Sequence, residues 1–379
     1  MKNTVKSAYL ISCSDHYRHR LWTVDATLRE LGYTTTYLTS DFDHTEKRTF
    51  SCTVPGCVQL HAKPYRKNLS VDRILSHQTF ARDVFRYLDA LPQEPDVIVA
   101  LIPPNFLARY LAKYKKKHPA VRLIFDIFDL WPETFPSGRA KKLLAPAFWV
   151  WARIRDHSLP AADFVTTECE LFRQRLGLDD SRCASVYLCA EPFYGEHLPA
   201  QLSEERLDLC YLGAINNVIS IPDICSLIEK ITTQKPVTLH IIGKGEREQE
   251  LIAAAKSAGA RVEFYGPIYD DQKKQEIMGR CHFGLNIMKA SVCVGLTMKS
   301  VDYFRYGLPI INNIPADTQE LVEGRGIGVQ LGEDCAQKLS RLTVSACMQM
   351  RQNVSAVFNE QFSKTVIEER YRALLEKVL

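Results

Sequence analysis

The sequence predicts an α/β protein made of two successive parallel-sheet domains facing a central cleft. Three observations predict it. Apolar runs of strand length alternate with helical stretches from residue 7 to about 168, the alternation pauses over 189–206, and it restarts at 207. Runs that are apolar throughout, rather than at every second residue, belong to sheets covered on both faces, and their alternation with helices makes those sheets parallel. The chain has 379 residues, enough for two domains that each bury a core. The expected boundaries are a first domain over 1–195, a second over 206–350, and a C-terminal helix within 355–379 that packs back on the first domain.

In chain order, SAYLISC (7–13) is a buried strand, followed by a polar loop and a helix whose apolar side is marked by Trp22, Ala26, Leu28 and Leu31 before Gly32 stops it. TTTYLTS (34–40) is the next strand, a charged excursion occupies 41–67, and a long helix covers about 70–91. DVIVALI (96–102) is a strand ending at Pro103-Pro104, a helix spans about 105–117, and RLIFDIF (122–128) and ADFVTTE (162–168) are strands around a helix carrying Trp149 and Trp151. CAEPFYGEHLPAQLSEER (189–206) reads as a linker. The second domain supplies strands at 207–213, 237–243, 261–266, 283–288 and 308–313, with helices closed by Gly259 and Gly307. An amphipathic helix over about 361–378 presents Val366, Ile367, Tyr371, Leu374, Leu375 and Val378 on one side.

Composition excludes several classes. Hydrophobic residues at 46% and charges at 24% rule out a disordered chain. A net charge of +4 is too balanced for a nucleic-acid binder. The charge is uneven, however: residues 101–160 hold eleven Lys and Arg against four Asp and Glu, a local +7. The twelve cysteines form no CxxC, and the N-terminal residues lack an apolar core of signal-peptide length. The expectation is a cytoplasmic protein whose cysteines are mostly reduced core residues. Cys52 and Cys57 lack neighbours at zinc spacing, no HxxxH occurs, and no metal site is expected.

Chemistry concentrates at strand ends of the second domain. Ligands of open α/β sheets sit there, against helix N-termini that present free N–H groups to anions. Three such ends are polar or glycine-containing: Gly213 to Asn217, Gly243-Lys244-Gly245, and Lys289 to Lys299. In the third, Gly295, Leu296 and Thr297 precede a helix beginning near Met298, so their N–H groups are placed to hold a phosphate. Lys299 adds a full charge in the first turn, and Asp302, three residues on, shares its face and suits the hydroxyls of a ribose. The competing reading of Lys299 and Asp302 is a surface ion pair. Asn216 and Asn217, and the Gly243–Gly245 turn, equally read as turn formers. A nicotinamide site is excluded by the lack of GxGxxG with a later acid.

VGLTMKSVDYFRYGLPII resembles the donor domain of GT-B glycosyltransferases, particularly the retaining family 4 type. That family carries a Glu-x7-Glu segment; counted back from Gly307-Leu308-Pro309, the second acid falls on Asp302 and the first position on Val294. HIIGKGEREQELI and RVEFYGPIYDDQKKQEIMGRCHFGL resemble the family's phosphate-proximal strand and base-binding turn, which implies that Gly243 lines the donor cleft and that Ile268 packs near the base. The usual Arg and Lys after the first strand are replaced by Asn216 and Asn217, which leaves more of the diphosphate's charge to Lys299. The first half, with Asp129-Leu130-Trp131-Pro132-Glu133, resembles the acceptor domain of bacterial polysaccharide glycosyltransferases.

The resemblance implies an enzyme that moves a sugar, with retention, from a UDP- or GDP-sugar to a glycan or lipid-linked glycan in bacterial surface or exopolysaccharide synthesis. No cofactor and no metal are implied. Asp129, Glu133 and His16 are the candidate catalytic residues, although Asp129 and Glu133 also read as helix caps and His16 as a solvated loop residue. Two alternatives stand beside this reading: a non-catalytic GT-B subunit that binds nucleotide and supports a partner enzyme, and a sugar-nucleotide epimerase. Asp41-Phe42-Asp43 spells the metal-binding motif of the other glycosyltransferase fold but lies far from any donor segment. Finally, residues 138–157 place cations around an aromatic centre, which fits a segment resting on an anionic membrane surface at the inner face of the plasma membrane.

Overall fold

The computed structural model describes residues 6–15, 18–68, 70–134, 143–195 and 200–379. The chain divides into one unit formed by Met1–Tyr187 with Ile367–Leu379, and a second formed by Leu188–Val366.

The first unit runs β1 (Ser7–Ser12), α1 (Arg18–Glu30), β2 (Thr34–Ser40), a small hairpin of β3 (Phe42–Asp43) and β4 (Arg48–Thr49), β5 (Cys57–Leu60), α2 (Val71–Asp89), β6 (Val97–Ile102), α3 (Asn105–Lys117), β7 (Arg122–Ile127), α4 (Ala145–Asp156), β8 (Phe164–Thr167), α5 (Glu170–Leu176) and β9 (Cys183–Ser185). Its main sheet has the order β5-β2-β1-β6-β7-β8-β9, with every neighbouring pair parallel. The central strands are the predicted ones; all six residues of β6 are buried. The edge strand β5 lies inside the stretch read as a charged excursion. Its residues are only half-buried, so it carries no apolar run to read.

The second unit runs β10 (Leu207–Leu212), α6 (Ile221–Thr232), β11 (Val237–Ile242), α7 (Glu248–Ser257), β12 (Arg261–Gly266), α8 (Asp271–Met278), β13 (Phe283–Asn286), α9 (Met298–Arg305), β14 (Ile310–Asn312), α10 (Asp317–Arg325), β15 (Gly328–Gln330), α11 (Cys335–Ser340) and α12 (Val344–Gln361). Its parallel sheet has the order β12-β11-β10-β13-β14-β15. In both sheets the winding direction reverses beside the first strand, at β1/β6 and at β10/β13. Such a switch point leaves a crevice at the carboxyl ends of the strands, where ligands of this architecture bind.

Two elements differ from expectation. The face that α1 buries is Leu21, Val24 and Leu28, with Arg20 among them; Trp22 is half-exposed, and the Arg18 guanidinium lies 4.7 Å above its ring. The stretch 189–206 packs on the second unit along its described residues rather than running free. The Gln201 N–H donates to the Gly279 carbonyl at 2.9 Å, His282 Nε2 lies 2.9 Å from the Ser203 carbonyl, and Phe193 packs on Tyr306.

The last helix, α13 (Lys364–Val378), buries Ile367, Tyr371, Leu374 and Leu375. A buried polar network holds it in the first unit. Arg20 of α1 grips Asp126 of β7 with two hydrogen bonds, at 2.6 and 2.8 Å, and the Tyr371 hydroxyl donates to the same carboxylate at 3.1 Å. A bidentate guanidinium–carboxylate pair with a third donor satisfies the charges that burial would otherwise leave uncompensated.

At the switch point of the second unit, β10 and β13 pair only at Leu209–Phe283 and Cys210–Gly284 before they part. The Tyr303 hydroxyl of α9 fills the gap. It accepts the Leu212 N–H at 2.8 Å and donates to the Cys210 carbonyl at 3.1 Å, replacing ladder bonds that the parting strands have lost. The ring has room because residue 284 is glycine: a Cβ there would lie 2.7 Å from the tyrosine ring.

Candidate functional site

Tyr303 fixes α9, and α9 carries the predicted donor residues. Thr297 is the N-cap: its backbone is extended and its hydroxyl oxygen accepts the Ser300 N–H at 3.1 Å. The same hydroxyl donates to Asn286 Oδ1 at 3.0 Å, and Asn286 in turn donates to Asn312 at 2.8 Å. Thr318 donates through its hydroxyl and N–H to the Gly295 carbonyl. The turn ahead of α9 is therefore tied to β13, β14 and α10. First-turn N–H groups of a helix have no intrahelical acceptor, and they give the N-terminus a partial positive charge. Leu296 and Thr297 are buried beneath it.

The Lys299 ammonium lies 4.1 Å from the centroid of the Tyr211 ring and is otherwise bonded to no described residue. Burial pulls its pKa down to about 7. Asp302 is half-buried and has no hydrogen-bond partner among the described residues. Burial pushes its carboxyl up to about 6, against the opposing pull of Lys274 and Arg305. The surface ion pair between these two does not form. Instead the face presents an uncommitted cation and an uncommitted carboxylate at the start of one helix, a turn apart, where a diphosphate and a diol would each find a partner.

Gly213 and Gly243 end β10 and β11. A Cβ on Gly243 would fall 2.0 Å from the Gly213 carbonyl oxygen, and one on Gly245 would fall 2.2 Å from the Ile215 carbonyl oxygen. The Ile215 N–H donates to the Lys244 carbonyl at 3.0 Å, and the Arg247 N–H to Ile215 at 3.1 Å. The two loops are knitted together at a distance that only glycine allows. Asn216 accepts the Val218 N–H at 3.1 Å in a local turn, and Asn217 is exposed and donates to Glu246 at 2.5 Å. Both asparagines thus shape the loop. Lys244 is exposed and Ile268 is half-buried.

In the first unit, the carboxyl ends of β1 and β6 open on a chamber of about 230 Å³ lined by Cys13, His44, Arg73, His77, Pro103 and Trp131, among others. Arg73 lies 4.3 Å over the Trp131 ring, and burial lowers the His44 pKa to about 4. A groove of about 450 Å³ adjoins the chamber through Asn68, Arg73 and His77, and its own walls include Val71, Ile74, Phe106, Leu144, Phe148 and Ile154. Among the described residues, Cys13, His44 and His77 form the group able to hold a metal ion, with ligand atoms within 4.8 Å of one another.

Asp129 sits between Phe128 and Trp131, which both line the chamber. It is buried enough that its carboxyl is pushed up to about 6, and Thr134 donates to it at 2.5 Å. Glu133 is engaged by Arg155, whose two terminal nitrogens donate to it at 3.0 and 2.8 Å. This pair ties the Asp129–Glu133 block to α4. His16 lies outside the described residues, as do residues 138–142 of the basic segment. Asp41 and Asp43 hold local backbone and side-chain donors: Asp41 accepts from His61 and the Ala62 N–H, and Asp43 accepts the N–H groups of Thr45 and Glu46.

Residues 206–344 match the family model of glycosyl transferases group 1. The second unit carries a glycosyl transferases group 1 domain. Over nearly its whole length it is similar to sucrose-phosphate synthase from Thermosynechococcus elongatus, with a TM-score of 0.70, 12% identity, and coverage of 98% of this chain and 99% of that one. It is similar also to the lipopolysaccharide outer core galactosyltransferase WaaB (TM-score 0.68, 13% identity, 99% and 100% covered). A third similar structure is Anabaena HepE in complex with UDP and glucose (0.64, 13%, 98% and 100%). At these identities the likeness is one of fold, and the fold is GT-B. No curated protein matches the sequence.

Sequence reasoning located α9 but missed the parts played by Tyr211 and Tyr303, whose partners lie elsewhere in the sequence. It also missed His44, Arg73 and His77: Arg73 and His77 lie one turn apart on α2, and His44 is 29 and 33 positions before them.

The low pKa of Lys299 makes a prediction about stability. The unfolded chain holds this proton up to the ordinary lysine pKa of about 10.4, the folded protein only to about 7. Stability therefore rises with pH across that window. Lys299→Met is expected to stabilise the protein by on the order of 1 kcal/mol at pH 7, with the gain fading as pH approaches the unfolded value. Urea denaturation at pH 6.5 and pH 9.5 checks this; a variant equally destabilised at both would show a partnered ammonium.

Proposed function

We propose that the protein is a glycosyltransferase, taking its sugar from a UDP- or GDP-sugar held in the second unit and transferring it, with retention, to a glycan or lipid-linked glycan engaged by the first. The observation that carries the proposal is the pair of uncommitted groups on α9. Lys299 and the first-turn N–H groups complement a diphosphate, and Asp302 complements the two ribose hydroxyls. On transfer, the bond between the anomeric carbon and the diphosphate oxygen breaks, the acceptor oxygen bonds to that carbon on the same face, and the departing charge collects at Lys299 and the α9 N-terminus. Stabilising charge where it develops is the largest contribution such a site makes. Asp129, with a pKa near 6, is suited to accept the hydroxyl's proton or a hydrogen bond from it.

Two variants test the donor site. Asp302→Ala is expected to weaken UDP- or GDP-sugar affinity about tenfold to a hundredfold through loss of the paired hydroxyl contacts. Lys299→Ala is expected to lower the transfer rate more than the affinity, because leaving-group charge is largest in the transition state. Calorimetry and single-turnover kinetics separate the two. Unchanged donor affinity in Asp302→Ala would remove the ribose assignment. Wild-type protein that binds nucleotide tightly yet neither transfers nor hydrolyses sugar would favour the accessory-subunit reading, for which Val294 in place of the family's first acid is the reason.

The first unit supports an amphiphilic acceptor. Its polar chamber adjoins the apolar groove, and Leu143 ahead of α4 is exposed, as are Trp149 and Val150 on it. Arg109, Lys113, Lys116 and Arg153 line one surface with Trp149 and Val150. Apolar side chains ringed by cations suit an anionic bilayer surface, and no helix among the described residues is long and apolar enough to cross a membrane. Vesicles containing phosphatidylglycerol are expected to co-sediment the protein, and Trp149→Glu with Val150→Glu to abolish it. Sedimentation that is indifferent to anionic lipid would contradict the membrane contact.

A further inference from the structure

We propose that Cys13, His44 and His77 form a zinc site in the first unit, with an open position toward the chamber at the β1/β6 switch point. The three residues come from separate elements. Cys13 follows β1, His44 sits in the β3–β4 hairpin, and His77 lies on α2. Their ligand atoms lie within 4.8 Å of one another, and Cys13 Sγ is 3.6 Å from His44 Nε2. A tetrahedral zinc with Zn–S of about 2.3 Å and Zn–N of about 2.0 Å holds its sulfur and nitrogen ligands about 3.5 Å apart. The observed edge already has that length, before any ion is placed.

The support around the ligands is that of a metal site. His44 Nδ1 is 2.7 Å from the Tyr65 hydroxyl, the second-sphere contact that orients a ligating imidazole. The 2.9 Å contact of His44 Nε2 with the Cys13 carbonyl belongs to the tautomer with Nε2–H as donor; in the other tautomer Nδ1–H donates to Tyr65, that contact is given up, and Nε2 carries the lone pair that binds the ion. His77 is held by its stacking on Trp131, with ring centroids 5.7 Å apart and planes 16° from parallel. Cys13 binds as the thiolate, releasing its proton to solvent.

All three residues line the chamber, beside Ser12, Ser14 and Pro103. Three protein ligands with an accessible fourth position are the arrangement of zinc sites that take an exchangeable ligand, whereas structural sites close with four. Arg73 lines the same chamber. An ion beside that guanidinium, with a single thiolate among its ligands, favours an anionic oxygen in the fourth place. The ligand class is therefore a phosphate or carboxylate. This is independent of the donor site, and its test does not depend on sugar transfer.

Full-length protein loaded with zinc sulfate and desalted is expected to retain about one zinc per chain by mass spectrometry. Cobalt loading is expected to give a thiolate-to-cobalt absorption band. Both are expected to vanish in the Cys13→Ser/His77→Ala double variant. X-ray absorption of the wild-type zinc protein covers the case in which the variant fails to fold: one sulfur and two imidazole nitrogens are expected in the shell. Retained zinc below one tenth of an equivalent, no thiolate band, or a shell of oxygen alone overturns the proposal. A phosphate titration that shifts the cobalt spectrum identifies the fourth ligand as an oxyanion, and a spectrum unmoved by phosphate and acetate overturns the open position.

Discussion

The Tyr303 hydroxyl stands where two parallel strands part, and the chemistry of the second unit depends on it. A switch point is useful because neighbouring strands diverge and leave a crevice, but divergence strands backbone N–H and carbonyl groups inside the protein. Tyr303 resolves that conflict by accepting from Leu212 and donating to Cys210. Since the tyrosine is part of α9, the bond that heals the sheet also sets the position of the helix whose first turn carries Lys299. Glycine at 284 is the matching requirement on the sheet side. Thr297 then fixes the other end of the same helix by capping it and reaching Asn286.

This rigidity lets the site carry groups that the fold would not otherwise choose. Lys299 has a ring face for company and Asp302 has no hydrogen-bond partner among the described residues. Both pKa values move toward the neutral form, downward for the ammonium and upward for the carboxyl. Other charges among the described residues are paired, as at Arg20, Asp126 and Tyr371, or at Arg155 and Glu133. The contrast between paired and unpaired charges is the ground on which a ligand is proposed at α9.

Much of this was legible in the sequence, for physical reasons. Strands such as VIVALI are buried on both faces and announce themselves as uninterrupted apolar runs; the half-buried edge strand CVQL does not. The turn and helix proposed as the donor site were legible because a Gly-Leu-Thr turn before a helix with Lys and Asp three residues apart is a local pattern. The α1 face was misread because Arg20 and Thr23, polar by type, lie on the buried side, while Trp22 finds its partner in Arg18. Glu133 reads as a candidate catalytic residue from its motif, while its pairing with Arg155, 22 residues later, carries no local signal. The Cys13, His44 and His77 group and the Tyr303 wedge are formed by contacts across 31 to 93 positions, for which one sequence holds no spacing signal.

The central claim is that the α9 N-terminus receives a nucleotide diphosphate. A crystal structure of the protein with UDP or GDP tests it most directly. The account predicts diphosphate oxygens against the first-turn N–H groups of α9 and Lys299 Nζ, with both ribose hydroxyls on the Asp302 carboxylate. A nucleotide seated instead in the chamber of Cys13 and Arg73, or one whose ribose leaves Asp302 without a contact, would contradict it.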